Sequence, residues 1–315
     1  MKQSPIDSVH RAVMVREVME LLKPRSGGRY LDATLGGGTH TTELLNLSAP
    51  DGKVLSMDVD EAALSRARQK QPAYGSRWKI VEQNFRHLRQ TAEESGWAPF
   101  DGILMDLGLS SDELADASKG ISFQAQGPLD MRLGPKANED GLVAATIVNH
   151  WSERELTQLI GLYGEERYAH RIAVAIVNRR QEKPLETTLE LAELIKSCVP
   201  AVYARSRIHP ATKTFQALRI AVNDELQALR SALSQADAIL APGGILVVIS
   251  FHSLEDRIVK QTFKKYQGYQ ISKKPVRPTE DEIKHNPRAR SAKLRAAYKN
   301  ATTQKYLCHG LTLLL

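Results

Sequence analysis

The chain has 315 residues but only two cysteines, Cys198 and Cys308, which are far apart and form no Cys-x-x-Cys pair. This scarcity argues against a disulfide framework or a cysteine metal site. The 9 histidines show no His-x-x-x-His spacing, so a zinc site has no support and we expect no metal. The longest apolar runs, such as residues 245–249, stop far short of the ~20 residues that a membrane helix needs.

The segment after Lys2 has no apolar stretch and no small-residue cleavage site. We therefore expect no signal peptide, no membrane partner and a cytoplasmic location. Hydrophobic residues make up 42% of the chain and charged residues 25%, which is ordinary for a globular protein. The length allows two domains, and no internal repeat is evident.

Positive charge is concentrated near the C-terminus. Residues 257–305 contain 14 Lys and Arg against 3 acidic residues, whereas the whole chain has a net charge of only +7, so the rest of the chain is net acidic. Tyrosines are interleaved with this basic segment. Such a segment is typical of a surface that follows a phosphate backbone, and a solvated charged face is the alternative.

Residues 30–58 have the pattern of a strand, a Gly-rich loop, a helix and a second strand that ends in Asp58. The loop contains three consecutive glycines at 36–38, which can adopt positive φ and allow a ligand to approach the backbone and the next helix. An acidic residue 20 positions after the last glycine falls where it can accept hydrogen bonds from both ribose hydroxyls. This pattern predicts a nucleoside cofactor site.

NAD and S-adenosylmethionine both present an adenosine to such a turn. Asp32 precedes the first glycine by four residues. A carboxylate there suits a ligand with a cationic amino-acid end and a sulfonium better than a pyrophosphate, so we favour S-adenosyl-L-methionine. The alternative is that Asp32 caps the following turn.

Strand patterns at 29–33, 53–57, 78–82 and 101–105 alternate with helix patterns, which predicts a doubly wound, Rossmann-like α/β sheet. After about residue 115 helix patterns follow one another, with capping boxes at residues 152–155 and 187–190. A long helical pattern over 215–240, a turn at 241–244 and a strand at 245–250 come next. We predict a sheet domain from residues 1–115 and 211–315, and an inserted helical substrate-recognition domain at 116–210.

Several ordered motifs resemble one family, the ribosomal RNA small subunit methyltransferase H family, over nearly the full length. They lie at residues 10–17, 32–41, 100–108, 127–132, 163–168, 209–216, 249–257 and 286–291. The resemblance implies methylation of N4 of a cytidine in 16S rRNA, within the small ribosomal subunit near its decoding site. It implies no oligomeric state.

Together, the loop pattern and the resemblance assign a set of candidate cofactor-binding residues: Asp32, Gly36, Gly37, Gly38, Thr39, His40, Asp58, Phe85, Asp106 and Glu113. Two of these depart from the family pattern, which usually has glycine at position 39 and glutamine at position 113. Asp106 follows the fourth predicted strand and is our candidate catalytic carboxylate, because it can accept a hydrogen bond from the cytosine amine. A role limited to cofactor binding and a structural cap are its alternatives.

A buried methyl donor requires the target cytidine to leave its stack. We predict substrate contacts from nine residues: Asp130, Arg132, His209, Lys213, Phe215, Arg219, His252, Arg288 and Arg290. For Asp130 and Arg132 the predicted role is in a lid that closes over the target base. The alternative is a local salt bridge between the two side chains. Phe215 or Phe251 could stack on the cytosine, although an aromatic side chain more often belongs to the core. The charged run at residues 165–167 is expected to pair along its own helix.

Two rival functions remain open from sequence. One is a nicotinamide dehydrogenase on the same sheet, which would bind NADH. The other is a non-catalytic ribosome assembly factor that keeps the fold and the basic segment. The departures from the family pattern at Thr39 and Glu113 are the reason that this second function stays open.

Overall fold

The computed structural model describes residues 12–301 apart from 136 and 139. The described residues form two compact units. The sheet unit comprises the residues up to Gly108 and from Gln227 onward, and the helical unit runs from Leu109 to Leu226. No helix among the described residues has both the length and the hydropathy of a membrane span.

Seven strands of the sheet unit form one sheet in the order β3-β2-β1-β4-β5-β7-β6. Their bounds are β1 Arg29–Asp32, β2 Lys53–Asp58, β3 Trp78–Glu82, β4 Phe100–Asp106, β5 Leu240–Ser250, β6 Tyr269–Ile271 and β7 Lys293–Lys299. The first five strands in this order are parallel, and β7 pairs antiparallel with both β5 and β6. The strand order reverses between β1 and β4, which in open α/β sheets is the point where ligands bind.

The helices of the sheet unit are α1 Val15–Leu22, α2 Thr39–Leu47, α3 Glu61–Lys70, α4 Leu88–Ser95, α12 Glu225–Ile239, α13 Ser253–Phe263 and α14 Glu280–His285, with α12 belonging to it from Gln227. The central strands are buried along most of their length. Burial of continuous apolar runs such as Ile103–Met105 is what a parallel sheet covered on both faces requires. The predicted α/β class is therefore confirmed.

The helical unit contains α5 Ser111–Ala115, α6 Ala144–His150, α7 Glu153–Gly164, α8 Ala169–Glu182, α9 Thr188–Cys198, α10 Ala201–Ala204 and α11 Thr212–Asn223. Its core is formed by apolar side chains that recur on one face of each long helix, among them Leu156, Ile172 and Leu191. The capping boxes that open α7 and α9 are present as predicted, with Ser152 and Thr187 as the capping residues.

The helical pattern over 215–240 was predicted as one segment, and the structure divides it into α11 and α12. Asp224 lies between them with φ 48°, so the backbone leaves the right-handed helix there. The apolar side of α11, with Phe215 and Leu218, packs in the core of the helical unit. For that reason the helical unit ends at Leu226, whereas the sequence places the boundary at 210.

The predicted turn at 241–244 lies within β5. The register of β5 on β4 shifts between Phe100 and Gly102, so residues 241–244 form an irregularity within the strand, and Gly243 has φ 80°. Strand β7 is not among the predicted elements, and it takes Lys293–Lys299 of the basic segment into the sheet.

Candidate functional site

The loop after β1 is held by hydrogen bonds to the neighbouring strands. The N–H of Ala33 donates to the carbonyl of Leu104 and that of Leu35 to the carbonyl of Met57, each at 2.9 Å. Gly36 and Gly38 have φ of 50° and 78°, values that side chains with a Cβ rarely adopt. Gly38 is the N-cap of α2, and no side chain caps this helix. The loop therefore presents the N-terminus of α2 at the carboxyl edge of the sheet.

Asp58 lies at the end of β2 and connects that strand to the loop. Its Oδ2 accepts a hydrogen bond from the N–H of Gly36 at 2.7 Å, and its Oδ1 accepts from the N–H groups of Val59 and Asp60 at 2.8 and 2.9 Å. Burial raises the pKa of this carboxyl, and the three N–H donors oppose that rise. Oδ2 accepts only one of these hydrogen bonds and keeps a second lone pair, so Asp58 can also accept a hydrogen bond from a sugar hydroxyl.

Asp32 is fully buried beneath the loop. Its Oδ2 accepts from the Thr41 hydroxyl at 2.7 Å and its Oδ1 from the N–H of Thr34 at 3.1 Å. The Thr41 hydroxyl also lies 2.8 Å from that of Ser56, which in turn accepts from the indole of Trp78 at 3.0 Å. This network ties the loop and α2 to β2 and β3, in agreement with the capping alternative for Asp32; its contact with a cofactor remains a prediction.

Asp106, at the end of β4, has a side chain that is 11% exposed. Its backbone N–H donates to the Thr34 hydroxyl at 2.7 Å, and its Oδ2 lies 3.7 Å from Nδ1 of His40. The Nε2 of His40 lies 3.1 Å from the carbonyl of Val13. Because only a protonated Nε2 can donate to that carbonyl, we assign a proton to Nε2.

Two carboxyls at this edge have strongly raised pKa values. Burial raises the pKa of Asp32 to about 7, against the hydrogen bonds from Thr41 and Thr34. Burial also raises the pKa of Asp106 to about 7, with further increases from the negative charges of Asp32 and Glu255. Carboxyls clustered in this way favour a cationic ligand, which would restore their ionised forms.

The loop after β5 forms another wall of this edge. Glu255 of α13 accepts from the N–H of Phe251 at 2.7 Å, and its Oε1 lies 3.1 Å from Nε2 of His252. His252 is nearly buried, with a side chain that is 11% exposed. A Cβ at Gly108 would lie 2.6 Å from Cε2 of the Phe251 ring, so the close approach of these two loops requires glycine.

The remaining predicted cofactor residues lie at several places. Phe85 is half-buried and begins a short turn after β3, and Thr39 is exposed as the first residue of α2. Glu113 belongs to the helical unit. Its Oε2 accepts from the N–H of Ser110 at 2.7 Å in a capping box. Either Glu or Gln can complete such a box, so the departure at this position does not disturb the local geometry.

Several predicted substrate residues of the helical unit are engaged in local contacts. Arg132 binds Asp130 with two hydrogen bonds of 2.8 and 2.7 Å, the predicted salt bridge, which lowers the pKa of Asp130. Arg219 forms a similar pair with Glu225 at 2.7 and 2.9 Å. These guanidinium groups are held by carboxylates within the unit.

The other three predicted substrate residues of the helical unit, Lys213, Phe215 and His209, also make contacts within that unit. Lys213 donates to the carbonyl of Glu165 at 2.9 Å. Phe215 is 4% exposed and lies in the core, which is the alternative stated for it. The His209 ring packs 4.7 Å from that of Phe123, and burial lowers its pKa, with a further contribution from the charge of Lys196.

The basic segment divides into buried and exposed cations. Lys293 and Arg295 both pair with Asp256, at 3.0 and 2.7 Å, so they stabilise the sheet. Arg288 and Arg290 are exposed in the short turn Pro287–Ser291. Lys305 lies outside the described residues.

Sequence reasoning missed four residues of the site: Thr34, Thr41, Gly108 and Glu255. Thr41 gave no local signal, because its bond to Asp32 spans nine residues and depends on how α2 packs. Glu255 follows His252 by three residues, which is capping-box spacing, but histidine replaces the usual Ser or Thr.

A doubly wound sheet with a Gly-rich loop and carboxylates at the ends of three neighbouring strands is an arrangement typical of enzymes that bind a nucleoside cofactor. The model of the MraW methylase family matches residues 7–300. The chain therefore belongs to the MraW methylase family, a family of methyltransferases.

Proteins named ribosomal RNA small subunit methyltransferase H are similar to this chain over almost its whole length. The protein of Thermomicrobium roseum is 48% identical over 95% of this chain and 96% of its own length. That of Symbiobacterium thermophilum is 45% identical, covering 92% and 96%. That of Geotalea uraniireducens is 46% identical, covering 93% and 99%.

The left-handed backbone at Gly38 predicts a specific stability cost. Gly38→Ala should lower the free energy of unfolding by about 1–2 kcal/mol, because a residue with a Cβ is disfavoured at φ 78°. The added Cβ would lie 3.7 Å from Leu35, an ordinary contact. Gly37→Ala, at a position outside the left-handed region, is the control in urea denaturation. If the two variants lost equal amounts of unfolding free energy, the backbone conformation at Gly38 would not be the cause.

The raised pKa values predict that the ligand-free protein loses stability as pH increases. Both carboxyls have folded-state pKa values of about 7, above the ordinary value of 3.8, so their contribution to stability is fully present below pH 3.8, declines as pH rises, and is lost above about pH 7. Urea denaturation from pH 5 to 8 should show this slope, and Asp32→Asn or Asp106→Asn should flatten it. The exposed Asp51→Asn is the control, and an unchanged slope in both site variants would contradict the assignment.

Proposed function

We propose that this protein is an S-adenosylmethionine-dependent methyltransferase that methylates N4 of a cytidine in 16S rRNA, within the small ribosomal subunit. The observation that carries the proposal is the placement of Asp58 and Asp106 at the ends of β2 and β4, on either side of the Gly-rich loop that follows β1. The names of relatives at 45–48% identity support the rRNA substrate.

The residues present suit S-adenosylmethionine. Asp58 can hold the ribose hydroxyls, the loop glycines let the ligand approach the backbone, and Phe85 can lie beside the adenine. Residues 32–41 contain no Lys or Arg, and the charges that act on Asp106 come from Asp32 and Glu255. A negatively charged pyrophosphate would meet carboxylates here, whereas an ammonium or sulfonium is attracted by them. This argues for S-adenosylmethionine over NAD.

Bound at this site, S-adenosylmethionine supplies a methyl group on a positively charged sulfur. Asp106 can accept a hydrogen bond from the exocyclic amine of the cytosine, which localises the nitrogen lone pair and orients it. As the N–C bond forms and the C–S bond breaks, the amine must lose a proton. A carboxylate with a pKa of about 7 can accept that proton and release it to solvent.

The proposal is tested by transfer of labelled methyl groups to small subunits purified from cells that lack the protein. We expect incorporation at cytidine N4 by the wild-type protein. Calorimetry should detect binding of S-adenosylmethionine and not of NADH. Ligand and RNA binding without any incorporation would favour a non-catalytic assembly factor, and NADH binding would favour a dehydrogenase.

Asp106→Asn separates the two roles of this carboxylate. If Asp106 accepts the proton, the variant should lose about 10²-fold or more in kcat while its cofactor affinity changes much less. Single-turnover rates and calorimetry measure the two quantities separately. A variant with normal kcat and weakened cofactor binding would assign Asp106 to the cofactor alone.

Exposed Arg288 and Arg290 generate a prediction about RNA. Replacing both with Ala should weaken binding of small-subunit RNA and reduce the slope of log affinity against log salt by up to about 1.5, because two phosphate contacts are lost. Cofactor affinity should not change. Arg68→Ala with Lys70→Ala, two exposed cations at the end of α3, form the control. A salt slope equal to that of the wild type would exclude this role.

A further inference from the structure

The turn between α7 and α8 places neighbouring charged residues in opposite environments. α7 ends at Gly164, and Glu165 caps it with φ 48°. Glu166 is 4% exposed, whereas Arg167 is exposed. The expected pairing of this Glu-Glu-Arg run along its own helix is not what the structure shows, because residues 165–168 lie between the two helices.

Glu166 orients two aromatic rings. Its Oε1 accepts from the backbone N–H of Tyr168 at 2.9 Å, and its Oε2 accepts from the hydroxyl of Tyr203 at 2.5 Å. Burial and the bond to Glu166 raise the pKa of Tyr203 to about 12, so its phenol keeps the proton that it donates. The two rings meet edge to face, with centroids 4.9 Å apart.

Arg167 lies over both of these rings. Its guanidinium carbon is 4.7 Å from the ring centroid of Tyr168 and 4.8 Å from that of Tyr203. Such stacking restrains the guanidinium through cation–π attraction without neutralising it. Among the described residues, no carboxylate forms an ion pair with Arg167. The N–H groups along its edge are therefore available for an anionic ligand.

Three further arginines follow Arg167 or Tyr203 closely in the chain. Arg205 and Arg207 follow Tyr203 closely in the chain, and both are exposed. Arg171 is exposed in the first turn of α8, and its charge acts on the Cys198 thiol at the end of α9. None of these three has an ion-pair partner in the described part of the chain. We call Arg167, Arg171, Arg205 and Arg207 the arginine patch.

In the two chain segments that carry the patch, residues 165–171 and 203–207, the four arginines outnumber the two acidic residues, Glu165 and Glu166. Glu166 is turned inward to Tyr203, and Glu193 lies 3.8 Å from Lys196. Glu165 is exposed, and its backbone carbonyl accepts from Lys213. The patch therefore keeps a net positive charge, as a surface that binds phosphodiesters requires.

We propose that Arg167 binds an RNA phosphate, with Tyr168 and Tyr203 as the platform that orients it and Glu166 as the positioning residue beneath them. The proposal rests on the proposed function, since it assigns part of the surface that holds the RNA substrate. A planar guanidinium fixed in one orientation can bind a phosphate through two parallel hydrogen bonds, which a flexible lysine cannot do.

The test compares single variants by anisotropy with a fluorescent fragment of small-subunit RNA over a range of salt concentrations. Arg167→Ala should weaken binding about tenfold and flatten the salt slope by about 1. Arg167→Lys should keep the slope but bind less tightly than wild type. Tyr203→Phe, which keeps the ring and removes the bond to Glu166, should give an intermediate loss. Cofactor affinity should be unchanged in all three.

Arg154→Ala is the matched control. Arg154 is exposed on the same helical unit at the opposite end of α7, about 15 Å along the helix axis from Gly164 at 1.5 Å per residue. The Arg154→Ala substitution removes the same charge and should leave the RNA affinity and its salt slope unchanged. Melting curves of all variants establish that they are folded.

The outcomes separate this inference from the function on which it rests. If Arg167→Ala binds RNA like Arg154→Ala while the wild type still transfers methyl groups, the inference is wrong and the function stands. If Arg167→Ala loses affinity for assembled subunits but not for free RNA, the patch contacts a ribosomal protein and the RNA assignment is wrong. A wild-type protein that neither binds RNA nor transfers methyl groups would remove the proposed function itself.

Discussion

The hydrogen bond from the N–H of Gly36 to Oδ2 of Asp58, 2.7 Å long, joins the loop after β1 to the end of β2. The loop geometry that makes this bond requires left-handed backbone at Gly36 and Gly38. Beneath it, buried Asp32 fixes Thr41 of α2 and, through it, Ser56 of β2. The position of the N-terminus of α2, and with it the proposed ligand site, depends on these few bonds.

The same arrangement gathers negative charge where a cationic ligand is proposed. Asp32 and Asp106 are both costly to ionise, because burial raises the pKa of each to about 7. A bound ammonium or sulfonium would reduce that cost, so ligand binding and ionisation favour each other. In the helical unit the charges are organised differently, since Arg167 of the arginine patch lies over two aromatic rings while the carboxylate of the adjacent Glu166 is turned inward.

Much of the sheet and of the geometry of the candidate site could be predicted from sequence, because their signals are local. Strand periodicity, the glycine run and the acid 20 residues later lie within one short segment, and the structure brings Gly36 and Asp58 into contact. The break at Asp224 could not be predicted, since it follows from the way α11 packs. The pairing of Arg219 with Glu225 and that of Arg295 with Asp256 could not be predicted either. Tertiary contacts decide whether a cation is exposed and which carboxylate it pairs with.

The central claim is that the Gly-rich loop, Asp58 and Asp106 together hold S-adenosylmethionine. A crystal structure of the protein soaked with S-adenosylmethionine tests it most directly. We predict density for the ligand along residues 36–38, with its ribose hydroxyls on Asp58 and its methyl-bearing sulfur near Asp106. Crystals in which this edge of the sheet stays empty at saturating ligand, or in which the ligand lies elsewhere, would contradict the account.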